Sequence, residues 1–148
     1  MEKEKILIVE DHKDSLDACV SLLTAVGYDV TGVESGKEAL SQCRNEEFQL
    51  VISDYQLEDT TGLEVLAKAQ ELLPQCATII ITAYATNELI CKAFAEGLVT
   101  AFLMKPLNTD KLLLTVKSCL LRQSLKYKIS KMSDNKVRRA VVDPENLE

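Results

Sequence analysis

The stretch Gln49-Leu50-Val51-Ile52-Ser53-Asp54 decides the fold. It is apolar and branched at successive positions rather than alternate ones, and it closes on a carboxylate. A strand written this way is buried on both faces, as in a parallel sheet covered by helices on each side. Three other runs have the same design. Ile6-Leu7-Ile8-Val9 leads into Glu10-Asp11, Ile79-Ile80-Ile81 into Thr82-Ala83, and Ala101-Phe102-Leu103-Met104 into Lys105-Pro106. In an open parallel α/β sheet, ligands bind beyond the carboxyl ends of the strands. Three carboxylates, a hydroxyl and an ammonium are therefore expected along one edge.

Left bare, Glu10, Asp11 and Asp54 repel one another, because like charges disfavour the ionised form. A hard divalent cation resolves that conflict. Magnesium prefers oxygen ligands and is usually held by one or two carboxylates together with phosphate oxygens. A central carboxylate can then attack phosphorus and form an aspartyl phosphate. The transferring group spreads its charge over the equatorial oxygens, so catalysis is mostly positioning and neutralisation. Lys105 and Thr82 offer an ammonium and a hydroxyl for that purpose.

From Lys5 to Leu121 the chain resembles the receiver domain of bacterial two-component response regulators. The resemblance rests on Glu10-Asp11, Asp54, Gly62, Thr82-Ala83, Phe102 and Lys105-Pro106. It implies a flavodoxin-like (βα)5 doubly wound parallel sheet, strand order 2-1-3-4-5, in a single domain, here expected to carry an extended C-terminal helix. It makes Asp54 the phosphoacceptor, Asp11 a direct metal ligand and Glu10 a ligand mainly through water. The backbone carbonyl of Gln56 would be the third protein ligand of Mg2+, with Mn2+ as the alternative. Lys105 would pair with the phosphoryl group, aimed by Pro106 at a cis-proline position. Thr82 and Phe102 match a switch pair in which the hydroxyl moves toward phosphorus and the ring swings inward. Ala83, Tyr84 and Gln56 stand at modulating positions, and a bulky Tyr84 is expected to shield the phosphoryl group and lengthen its life.

The implied function is a phosphorylation-controlled switch. A sensor histidine kinase, a phosphotransfer protein or a small phosphodonor supplies Asp54. The surface of helix 4, strand 5 and helix 5, including Ala93, Glu96 and Phe102, then changes for a downstream protein, an effector domain or a second copy. The chain would catalyse only its own phosphorylation and dephosphorylation. Two positions depart from the family pattern. Glu58 replaces a frequent proline, which predicts a more acidic and less rigid loop from Leu57 to Gly62. Phe102 replaces a frequent tyrosine and brings no phenolic hydroxyl. A magnesium-dependent phosphohydrolase would need an aspartate where Gln56 stands. A nucleotide or flavin site would need glycine in Asp11-His12-Lys13-Asp14-Ser15, which has none. A scaffold that binds without phosphorylation would not need the complete set.

Working outward along the chain, strands are predicted at Lys5–Glu10, Tyr28–Val33, Gln49–Ser53, Thr78–Thr82 and Thr100–Met104. Helices are predicted at Asp14–Val26, Ser35–Cys43, Gly62–Leu73, Thr86–Glu96 and Thr109–Leu121. Leu16, Val20, Leu23 and Val26 show the helical spacing, with Gly27 as a stop. Ser35 with Glu38 is a capping-box pattern. Alternation of strands with helices of about ten residues implies parallel βαβ units. Residues 1–121 form the expected receiver domain. Residues 122–148 are an extension. Leu121, Leu125, Ile129 and Met132 continue an apolar stripe, which reads either as a dimerising or linker helix or as a frayed end with an unstructured tail from Asp134.

The 148 residues suffice for one domain with a sizeable core. Net charge is −6. Residues 1–121 hold 10 basic and 19 acidic residues, whereas residues 122–148 hold 7 and 4. An acidic body without a basic patch does not suit nucleic acid. No apolar run approaches the ~18 residues of a membrane span, and no signal peptide opens the chain, so the cytoplasm is expected. Cys19, Cys43, Cys76, Cys91 and Cys119 contain no Cys-x-x-Cys pair and are expected to be reduced and mostly buried. His12 is expected to be an exposed loop residue.

Overall fold

The structure is a computed structural model. It describes residues 3–84 and 87–142, with side chains as far as Met132. The chain alternates β1 (Lys5–Val9), α1 (Lys13–Val26), β2 (Asp29–Val33), α2 (Gly36–Asn45), β3 (Leu50–Asp54) and α3 (Gly62–Leu72). It continues through β4 (Ala77–Thr82), α4 (Glu88–Ala95), β5 (Ala101–Met104) and α5 (Thr109–Val142). The five strands form one parallel sheet in the order β2-β1-β3-β4-β5. This is the flavodoxin-like α/β fold, with the strand order, that the resemblance implied.

The unbroken apolar strands are explained by two cores, one on each face of the sheet. Leu7, Val9, Val51 and Ile80 pack with Ala39, Val65, Leu66 and Ile90 from α2, α3 and α4. Ile6, Ile8, Ile52, Ile79 and Ile81 pack with Leu16, Leu23, Leu112 and Val116 from α1 and α5. Successive side chains of a strand point to opposite faces, so both parities must be apolar. Burial of this kind contributes about 25 cal/mol per Å² of apolar surface.

Local signals set most helix ends. Ser35 accepts from the Glu38 N–H at 3.2 Å, Thr61 from Glu64 at 3.3 Å and Asn87 from Leu89 at 2.9 Å. Gly27, at φ 117°, closes α1 by donating to Leu23 and Thr24. The predicted start of α4 at Thr86 lies outside the described residues.

The fifth helix continues past Leu121 to Val142, the extended C-terminal helix expected from the stripe of Leu121, Leu125, Ile129 and Met132. No glycine or proline interrupts Thr109–Val142, and its Leu, Lys, Arg and Gln are good helix formers. The reading of an unstructured tail from Asp134 therefore fails as far as Val142, and residues 143–148 lie outside the described residues. Cys43, Cys76 and Cys119 are buried, Cys19 is half-buried and Cys91 is exposed. Burial, with Cys43 close by, pushes the Cys76 thiol up to about 12. Among the described residues no helix is long and apolar enough to cross a membrane.

Candidate functional site

Strand register brings the site together. Val9 lies opposite Ser53 and Asp54 opposite Ile81, so Glu10 and Asp54 emerge at neighbouring levels of the sheet edge. Thr82 lies opposite Met104, which places Lys105 one residue beyond. The Lys105 N–H donates to the Thr82 carbonyl at 2.9 Å, and the Lys105–Pro106 bond is cis. A cleft of about 160 Å³ opens there, lined by Asp11, Asp54, Gln56, Thr82, Tyr84 and Lys105 among others.

Asp54 is only 5% exposed, yet its carboxylate reaches the cleft. Lys105 Nζ donates to Asp54 Oδ2 at 2.9 Å and stands 3.9 Å from Glu10 Oε2. Burial works against the Lys105 ammonium. The Asp54 hydrogen bond and the charges of Asp54, Glu10 and Asp11 outweigh it and raise its pKa. Burial pushes the Glu10 carboxyl up, the His12 N–H at 3.0 Å draws it down, and the Asp54 charge raises it further. Thr82 is 2% exposed, and its hydroxyl oxygen accepts from the Tyr84 N–H at 3.1 Å. Ser53 turns its hydroxyl onto the Asp54 carbonyl at 2.9 Å and takes no place in the cleft lining.

Glu10, Asp11 and the His12 imidazole offer donor atoms within 4.8 Å of one another. An oxygen-rich set suits Mg2+, and the added nitrogen suits Mn2+ as well. Gln56 fits the same purpose. It pairs with Thr61 in an antiparallel bridge whose bonds, Leu57 N–H to Thr60 O and Gly62 N–H to Tyr55 O, use only the flanking residues. The Gln56 carbonyl thus stays out of that ladder. Glu10 and Asp11 of the expected ligand set thus lie together as a candidate acidic cluster, with His12 in place of Asp54 as its third member.

Three expectations change. Ala93 is buried and cannot belong to an exposed partner surface; its neighbour Phe94 is exposed instead. Apolar residues occupy both positions, and only packing shows which one faces the core. The loop after β3 is pinned rather than loose. Besides the bridge at its base, Asp59 accepts from the N–H groups of Gly36 and Lys37, each at 3.0 Å. His12 is exposed as expected, but its imidazole lies close to the Glu10 and Asp11 carboxylates, a proximity its single occurrence did not signal. Phe102 does not line the cleft. It is 39% exposed and stacks edge-to-face on Phe94 with centroids 6.2 Å apart.

Comparisons with known proteins agree with this geometry. The family described as response regulator receiver domain matches residues 6–117. Transcriptional regulatory protein ZraR of Escherichia coli K12 is 33% identical over 115 residues, which is 78% of this chain and 26% of that protein. Transcriptional regulatory protein GlrR of the same strain is 35% identical over 107 residues, 72% of this chain and 24% of that protein. The chain thus spans about a quarter of these curated relatives. A CheY-like receiver domain protein from Methanospirillum hungatei JF-1 superposes with a TM-score of 0.79 at 34% identity, covering 84% of this chain and 99% of that one. With Asp54, Lys105 and Thr82 gathered at the switch point of a 2-1-3-4-5 sheet, the chain belongs to the receiver domain family of response regulators.

Proposed function

We propose that Asp54 accepts a phosphoryl group from a sensor histidine kinase, a phosphotransfer protein or a small phosphodonor, and that this acyl phosphate switches the chain between two surfaces. The observation that carries the reading is a nearly buried carboxylate held at 2.9 Å by the Lys105 ammonium inside an open cleft. Glu10, Asp11, Asp54 and the Gln56 carbonyl would hold Mg2+, or Mn2+. When bound, that cation neutralises phosphoryl oxygens and relieves the repulsion among the carboxylates.

The chain's own residues do the rest. Asp54 Oδ attacks phosphorus and the leaving group departs in line with the new bond. Lys105 neutralises one equatorial oxygen as it shifts from the carboxylate to the phosphoryl group. The Thr82 hydroxyl exchanges its Tyr84 contact for another. Ala83 leaves room beside the phosphoryl group, and Pro106 keeps Lys105 turned toward it. Tyr84, 71% exposed at the rim, shields the product from water. Movement of Thr82 draws Phe102 inward and repacks α4, β5 and the start of α5 for a downstream protein, an effector domain or a second copy. A partner must prefer one packing for a signal to pass. The reaction is confined to the chain's own carboxylate, so this is a signalling module rather than a turnover enzyme, and its phosphodonors place it in the cytoplasm.

Intact mass after incubation with phosphoramidate, with and without magnesium, tests the proposal. One phosphoryl adduct that needs magnesium and disappears in Asp54→Ala is expected. No adduct on the unmutated chain would make it a binding scaffold instead.

A further inference from the structure

The β3–α3 loop must present the Gln56 carbonyl, yet Gln56 is exposed and the loop carries Glu58 at the position of the frequent proline. Its base is held by the Tyr55 N–H on the Ile81 carbonyl at 2.8 Å and the Gly62 N–H on the Tyr55 carbonyl at 2.7 Å. Its tip is held from elsewhere. Asp59 Oδ1 accepts from the Gly36 N–H and Oδ2 from the Lys37 N–H, both at 3.0 Å. These are first-turn donors of α2, which no bond within the helix can satisfy. Ser35 satisfies a third, that of Glu38. A carboxylate at this helix end is also favoured by the aligned peptide dipoles.

A second feature supports the same contact. A Cβ on Gly36 would lie 2.5 Å from Thr60 Cγ2 and 2.9 Å from Val65 Cγ2. The end of α2 approaches the loop and α3 this closely only because residue 36 has no side chain. A two-pronged carboxylate and a side-chain-free approach thus clamp the loop onto α2.

We infer that Asp59 is a positioning residue: by clamping the β3–α3 loop to the start of α2 it holds the Gln56 carbonyl where a divalent cation in the cleft requires it. The clamp joins residues 23 apart in sequence. This inference rests on the metal reading of the cleft.

Isothermal titration of the full chain with MgCl2 tests it, with Asp59→Ala and Ser35→Ala compared against the unmutated chain. Both variants weaken the same helix end, but only Asp59→Ala releases the loop. Asp59→Ala is expected to raise the Mg2+ Kd about tenfold, the scale of lost support behind a metal ligand. Ser35→Ala is expected to leave Kd unchanged. The phosphoramidate reaction of Asp59→Ala should recover at saturating Mg2+. An unchanged Kd in Asp59→Ala, or an equal rise in both variants, would overturn the clamp. An unmutated chain that binds no Mg2+ would overturn the metal reading itself, a separate failure visible before either variant is made.

Discussion

A methyl group on Gly62 has nowhere to go. Its Cβ would sit 2.2 Å from the Asp54 carbonyl oxygen and 2.6 Å from Ile80 Cδ1. The first obstacle is backbone and cannot rotate away. Gly62→Ala should therefore cost about 1–3 kcal/mol of stability by denaturant unfolding, and it should slow adduct formation because the displaced backbone is that of the acceptor. Asp59 makes a prediction in pH. The Gly36 N–H, joined by that of Lys37, holds its carboxyl below the ordinary 3.8 against the opposing effect of burial. A depressed folded pKa stabilises the fold above the unfolded value, and that stabilisation fades as pH falls through the folded value. The gap in urea midpoint between the unmutated chain and Asp59→Asn should be constant from about pH 7 to 5 and should close below pH 3.8. Residues whose meaning lies at a strand end, such as Asp54, Thr82 and Lys105, were readable because the strand itself is readable. Asp59 and Gly36 were not, since each matters only through the other and the intervening chain gives no sign of their meeting.

Among the elements, β5 carries the output proposal. It is an edge strand, and Phe102 faces outward against Phe94 of α4. Phe102→Ala should leave the Asp54 adduct intact by mass. It should shrink the phosphorylation-dependent gain in partner affinity by about fivefold or more. A gain equal to that of the unmutated chain would remove Phe102 from the switch. The elements show where sequence reading stops. All ten were found from periodicity and caps, and most ends fell within a few residues. The continuation of α5 past Leu121 was legible in its apolar stripe, but its last residue was not, because a helix without a stop signal ends where solvent and fraying decide. The α4 face was misassigned by one residue because Ala93 and Phe94 are both apolar, and only the packed core shows that Ala93 is the one that turns in.

For the whole molecule, every buried side chain described lies at or before Leu120. Leu121, Leu125, Ile129 and Met132 are exposed along the extension. Its described polar contact to the body runs from the Gln123 amide to the Gln75 carbonyl. A chain ending at residue 121 should keep its unfolding free energy within about 1 kcal/mol and still take up a phosphoryl group. Loss of cooperative unfolding in that chain would show that the extension belongs to the folding unit. The 34 residues of α5 thus fall into two parts. The first is packed into the core as far as Leu120, and beyond it the helix reaches about 33 Å at 1.5 Å per residue. It has the form of a lever whose short arm is fixed in the body that holds the cleft. A tilt of about 5° where it leaves the body would carry the far tip about 3 Å, by the same rise per residue. Rearrangements too slight to matter within the cleft become, at the tip, the width of a side chain.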